Sequence, residues 1–486
     1  MGVAFVPLYI KYLGIEAYGL IGVFAILQAS LALLDMGMKP ALGREMARFT
    51  AGAHNAQSIR DLLRSVESIG AITSVGIALC IWAASPWLAS SWVVSKNLPT
   101  DVVAHAFAAM GVVIALRFIE SIYISSIVGL QRQVTESVVS SSMATARGLG
   151  AVGVLAWISP TIHGFFVWQG LVSLFTVPIL AIIVYRELPS APRSPRFSWP
   201  AIAGIWRFAA GVMAITLLAL LLTQVDKILL SRLLPLKVFA YYALAAVLTN
   251  TLYMLTSPIS AAFYPQFTEL ATRGDSAALR RAYHQAAQLT TVVVGGAGVM
   301  LIMFADSILR LWTANSQLAA QVAPLLKVLA VGTLVNALMG IPYQMQLAHG
   351  WTALTIKINA IAVIILVPAL FYVVPQYGAI GAAWIWVFLN IGYLIVDIYF
   401  MHRRLLPTEK WRWYGQDVSM PLLAAIVAAS IGRYAVPEMN SRLIETALLV
   451  LFSGFVVLAG VVVCPLVRAQ FAKHVEMAVR HVLPKP

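Results

Sequence analysis

The chain has 486 residues, 60 % of them hydrophobic and only 11 % charged, with a formal net charge of +14. A soluble domain carries roughly 25 % charged residues, so the composition excludes a soluble globular protein and points to a chain that lives in a bilayer. The two cysteines, Cys80 and Cys464, are too far apart for a disulfide framework or a metal site and read as packing residues. No basic leader with a small-residue cleavage site opens the chain, so no signal peptide is expected.

Apolar runs of about 20 residues, the length that crosses the hydrocarbon core, follow one another with short breaks. They predict an all-α polytopic membrane protein of about fourteen helices, near 1–13, 17–38, 65–88, 102–130, 134–158, 163–185, 203–230, 238–263, 284–305, 321–347, 352–374, 378–400, 417–436 and 443–466. The first is too short to span, since ten to thirteen residues at about 1.5 Å each reach about half of the core. Either residues are missing before Met1 or the start lies upstream. With a cytoplasmic N-terminus, nineteen Lys and Arg fall in the cytoplasmic breaks and tail and six in the external breaks. The positive-inside rule then predicts both termini in the cytoplasm and accounts for the net charge through anionic lipid, without nucleic acid.

The stretch RELPSAPRSPRFSWP, residues 186–200, has too many prolines and arginines to span a bilayer and reads as a stiff, basic cytoplasmic linker. It divides an N-lobe, 1–185, from a C-lobe, 201–400; two extra helices occupy 401–466 and a basic amphipathic tail 467–486. Residues 7–48 return in weaker form about 224 residues later, pairing Tyr18 with Tyr241 or Tyr242, Pro40 with Pro265 and Glu45 with Glu269. The breaks 43–64 and 268–284 also match, Gly52 with Gly274, and each reads as a short cytoplasmic amphipathic helix. A duplication of this kind predicts two pseudo-symmetric six-helix lobes with a transport path between them.

Ionisable groups at membrane depth are costly and mark candidate sites. Arg117 and Arg147 each lie fifteen residues from Arg132, the turn between two antiparallel helices, so both sit at one depth; Glu120 shares a helix face with Arg117. The trio is either a closed network that pins two helices or a cationic patch for an anionic group, which the planar guanidinium fork suits. Gln224, Asp226 and Lys227 in the seventh helix read as a helix-end anchor or as polar lining of the path. Asp226 and Lys227, about 100° apart on the wheel, need not pair. Lys327 enters the tenth helix from outside as a snorkelling cation or a cavity residue. Asp35 and Asp397 lie near cytoplasmic ends, and His54, His105, His163, His284 and His349 read as interfacial. No GxxxxGK[ST] stretch, metal-spaced His/Cys cluster or large external loop is present, so neither a nucleotide-driven pump nor an external catalytic domain is expected.

Residues Pro7, Leu13–Gly14, Glu16, Tyr18–Gly19–Leu20, Leu34–Asp35–Met36–Gly37, Pro40 and Arg44–Glu45, with VGLQRQ at 128–133, resemble the Wzx-type oligosaccharide flippases of the multidrug/oligosaccharidyl-lipid/polysaccharide exporter superfamily. The resemblance implies a V-shaped, MATE-like transporter of the bacterial inner membrane. Such a protein, not an enzyme, flips polyprenyl-diphosphate-linked oligosaccharide repeat units by alternating access for O-antigen, capsule or exopolysaccharide synthesis. No cofactor is implied; an ion-coupled cycle using a proton or sodium ion fits, as do inner-membrane lipids and polysaccharide polymerase or other assembly proteins as partners. A cation-coupled multidrug exporter and a membrane-embedded polymerase or ligase are the alternatives. The short first helix departs from the family, in which it lines the cavity.

Overall fold

The computed structural model describes residues 2–435 and 441–470. Regular structure there is helical, apart from one bridge between Val94 and Pro235. The helices are α1 (Gly2–Leu13), α2 (Ile15–Ser30), α3 (Met38–Thr50), α4 (Ala56–Trp87), α5 (Thr100–Gly129), α6 (Gln133–Gly153), α7 (Ile162–Glu187), α8 (Trp199–Leu233), α9 (Leu236–Thr249) and α10 (Thr251–Arg273). They continue with α11 (Ser276–Thr290), α12 (Gly296–Met303), α13 (Ala305–Thr313), α14 (Ser316–Leu338), α15 (Gly340–Ala348), α16 (Ala353–Leu405), α17 (Lys410–Arg412), α18 (Met420–Ala435) and α19 (Arg442–Val463). Hydrocarbon offers no partner for a free peptide group, so the apolar runs close their hydrogen bonds within each helix. Buried hydroxyls do the same: Ser126 donates to the Ile122 carbonyl at 3.0 Å and Thr176 to that of Val172 at 2.7 Å.

Eleven helical stretches among the described residues are long and apolar enough to cross a membrane. Of the fourteen expected helices, α1 is too short to span, as its length predicts, α8 is one continuous helix outside these eleven, and α16 counts once although Gly378 breaks it into two arms. Neither matching break is one short helix: 43–64 is shared by the end of α3 and the start of α4, and 268–284 by the end of α10 and the start of α11. Gly52 and Gly274 both take positive φ, 84° and 71°. Asn55 then caps α4 by accepting from Ser58 N at 2.7 Å, and Asp275 caps α11 by accepting from Ala278 N at 3.0 Å. Most of the amphipathic tail, residues 471–486, lies outside the described residues.

The chain divides into two compact units, Met1–Ala240 and Tyr241–Pro486. This boundary lies well beyond the expected linker, and the reason is local. Backbone N–H groups of Arg193, Arg196 and Ser198 donate to Gln57, Asp61 and Ser65 on one face of α4, at 3.1, 2.9 and 2.8 Å. The segment is therefore strapped to the first unit, and α8 follows it there, packing on α2, α3 and α4. In that unit α3 crosses α5 so closely that a Cβ at Gly129 would lie 2.2 Å from the Gly43 carbonyl oxygen. The core of the second unit gathers Phe267, Tyr283, Leu334, Ile341, Ile398 and Trp413. There the extra helices α18 and α19 pack on α12 through Ala425, Ala429, Leu449 and Val456.

Candidate functional site

A buried charged site of the first unit lies among α2, α5, α6 and α7. Arg147 donates from Nη2 to both carboxylate oxygens of Glu120 at 2.7 Å and to Ser173 Oγ at 3.3 Å. The pair is buried, with Arg147 18 % and Glu120 6 % exposed. Arg117 does not close the network. Its guanidinium donates to Gln28 Oε1 at 2.7 Å and Gln169 Oε1 at 2.9 Å, and stacks on the Phe24 ring at 5.1 Å. Glu120 thus neutralises Arg147, while Arg117 is held by neutral amides and an aromatic face and makes no ion pair among the described residues. The Nε atoms of Arg117 and Arg147 are both buried without a hydrogen-bond partner. A buried donor left unsatisfied costs about 1–3 kcal/mol, and an anion rich in lone pairs relieves that cost at two guanidinium forks. Gln28, Gln169 and Ser173 did not stand out in the sequence, because neutral polar residues in apolar helices give no signal until a cation is found beside them.

The other candidates separate. Lys227 Nζ does bond Asp226, at 3.2 Å, because it also reaches back to the Thr223 carbonyl one turn earlier at 2.5 Å, which brings it beside the Asp226 carboxylate. Gln224 donates to Thr223 Oγ1 at 3.4 Å. Lys327 pairs with Asp306 at 2.6 Å in an exposed ion pair of the second unit. These groups do not join the Arg117 cluster.

The motif residues form a corner that fastens α2 and α3 to α8. Gly14 and Gly37 take φ of 80° and 72°, and Asp35 accepts from Gly37 N at 2.7 Å and pairs with Lys39 at 3.3 Å. Arg44 lies 4.5 Å over the Phe208 ring, and a Cβ at Gly19 would meet Leu236 at 2.8 Å. Tyr18 is buried beneath, and Pro7 stands inside α1.

Two acidic sites in the second unit differ from expectation. Asp397 is buried and bound through both oxygens by Gln346, at 3.0 and 2.9 Å, beside a cavity of about 260 Å³ that Asn336, Asn359 and Tyr393 also line. His284 is fully buried within the protein, bonded to Asp417 and to Glu409 Oε2 at 3.0 Å, while Gln288 donates to Asp417 at 2.9 Å. Its partners lie 125 and 133 residues away, which no local pattern reveals. Among the described residues no group of three or more His, Cys, Asp or Glu is placed to hold a metal ion.

A family model described as polysaccharide biosynthesis protein matches residues 11–316, more than half of the chain. The chain belongs to the polysaccharide biosynthesis protein family. A relative in this setting is a Shigella flexneri protein described as a candidate O-antigen transporter, 20 % identical over 384 residues that cover 77 % of this chain and 87 % of the relative. Among solved structures, the lipid II flippase MurJ in an inward closed conformation superposes with a TM-score of 0.70 at 13 % identity, covering 94 % of this chain and 95 % of MurJ. An inward-facing MATE multidrug resistance transporter of the MOP superfamily gives 0.67 at 15 % identity, over 83 % and 93 % of the two chains. At such identities the likeness establishes the fold: this family member is a multi-pass membrane protein built as the MOP transporters are.

Proposed function

We propose that this polysaccharide biosynthesis protein flips a polyprenyl-diphosphate-linked oligosaccharide from the cytoplasmic to the outer leaflet of the bacterial inner membrane. In this reading both termini are cytoplasmic, and two lobes alternate access in the V-shaped manner of the superfamily. The observation that carries the reading is Arg117: a guanidinium in an apolar bundle, stacked on Phe24, held by Gln28 and Gln169, with no carboxylate of its own. A pyrophosphate cannot shed its water into hydrocarbon unaided, and a guanidinium without a countercharge replaces that water. Family membership and the O-antigen transporter and lipid II flippase likenesses support the same substrate class. A multidrug exporter for organic cations calls instead for a free carboxylate, and in this cluster Glu120 is already neutralised by Arg147.

The test is the sidedness of lipid-linked repeat units in a deletion strain, read with a membrane-impermeant glycan label on intact spheroplasts. Loss of the protein should leave glycan that accumulates and stays unlabelled until the membrane is broken, and Arg117→Gln should reproduce that block at normal protein level. Glycan labelled at the outer face of the deletion strain places the block after translocation and overturns the reading.

A further inference from the structure

The two arms of α16, on either side of Gly378 (φ 60°, ψ −147°), form a hairpin that leaves an open groove along its length. The groove has a volume of about 370 Å³ and is lined by Ile361, Ile365 and Ala369 from one arm and Phe388, Gly392 and Val396 from the other. The groove is open beside Gly392, where an added Cβ meets no atom within 4 Å. At Val396 the groove runs into a second depression of about 450 Å³, whose rim carries Tyr399, Lys410, Trp411 and Tyr414.

Lys410 gives this apolar channel a charged end. Its Nζ lies 4.9 Å from the Tyr399 ring centroid and 4.7 Å from that of Trp411, and it makes no ion pair among the described residues. The adjacent acid does not compensate it, because Glu409 faces His284 at 3.0 Å, Arg412 at 3.7 Å and Arg280 at 3.8 Å. Asp397, the hairpin's one acidic residue, turns both oxygens to Gln346. Arg403, close by, donates to the Tyr399 hydroxyl at 3.4 Å and strengthens the positive field.

We propose that the groove binds one anionic glycerophospholipid, with an acyl chain between the arms of the hairpin and the phosphate on Lys410. An apolar channel alone accepts any acyl chain; an uncompensated cation between two aromatic rings at its mouth selects the negative headgroup. This does not depend on the transported substrate.

The test uses the full-length protein, delipidated in mild detergent and followed by native mass spectrometry as phosphatidylglycerol and phosphatidylcholine with identical acyl chains are added. The tightest-held single lipid should favour phosphatidylglycerol by about fivefold, the size of one lysine–lipid attraction. Lys410→Gln should abolish the preference and Lys410→Arg keep it. Gly392→Phe, which fills the groove, should weaken retention of both lipids; if that variant does not fold, the Lys410 pair decides alone. A wild-type protein without the preference, or a Lys410→Gln variant that keeps it, overturns the proposal. So does displacement of phosphatidylglycerol by a polyprenyl phosphate that Gly392→Phe prevents, which would give the groove to the tail of the transported lipid.

Discussion

Arg117 and Glu120 sit one helical turn apart, yet Glu120 gives both oxygens to Arg147 on the neighbouring helix. The symmetric spacing about Arg132 predicts one depth for the two arginines, but the choice of partner rests on rotamers and on amides contributed by α2 and α7. Breaking a buried pair leaves a charge without its counterpart and costs roughly 3–5 kcal/mol, whereas replacing both members by apolar groups is often neutral. Glu120→Gln should therefore lower the thermal unfolding midpoint of the purified protein clearly. The double change Glu120→Leu with Arg147→Met should bring it back near wild type while translocation stays reduced. If the double variant transports normally, the pair only holds helices together. Glu45 behaves differently, being outside the spans: burial alone raises its carboxyl, but bonds from His54 and Arg48 outweigh this and hold it below its ordinary value of 4.5. A lowered carboxyl contributes stability above its ordinary pKa and loses that contribution as pH falls through the lower folded value. The unfolding midpoint should accordingly fall more steeply below pH 4.5 in wild type than in Glu45→Gln, as read by thermal scans at fixed ionic strength.

Helix positions were legible because hydropathy reports directly on the solvent each segment meets. Helix ends are less so: each matching break reads as one short amphipathic helix, whereas in the fold it holds a helix end, a turn and a helix start. Charged residues at 56–64 look like a surface segment in sequence, whereas in the fold they start a 32-residue helix whose far end is apolar. The glycines at such ends separate two effects. Gly52 has φ 84° and open space around a would-be Cβ, so Gly52→Ala should cost on the order of 1 kcal/mol from backbone conformation alone. Gly37 has φ 72° and, in addition, a Cβ there would lie 2.1 Å from the Ala209 carbonyl oxygen of α8. Gly37→Ala should thus cost a further roughly 1–3 kcal/mol of overpacking. Side-by-side thermal unfolding of the two variants checks the ranking; equal midpoints would mean that the α3–α8 approach is not as tight as described.

For the molecule as a whole, the proline- and arginine-rich stretch reads as a stiff cytoplasmic linker because its composition resists helix and bilayer alike. It is instead laid along α4, its backbone amides held by Gln57, Asp61 and Ser65, while the Arg60 guanidinium donates to the Tyr185 and Leu188 carbonyls at 3.4 and 3.1 Å. Trypsin should cut slowly after Arg193 and Arg196 in wild type, and faster in Asp61→Ala, where the strap loses a bond. After cleavage the two fragments should still elute together, since α8 lies beyond the cut and packs on α2, α3 and α4. Unchanged cleavage rates would show that the strap does not hold in solution.

By itself the sequence determined that this is an all-helical membrane protein and where nearly all its apolar helices lie. These follow from patterns with a period of a few residues and from the cost of charge in hydrocarbon, both of which are local. Only the tertiary structure decided that Arg117 lacks a countercharge, that Lys227 turns to Asp226, that His284 is buried among carboxylates over a hundred residues away, and that α8 belongs to the first unit. Each of these depends on which helices become neighbours, and a partner far along the chain leaves no mark on the residues beside its contact.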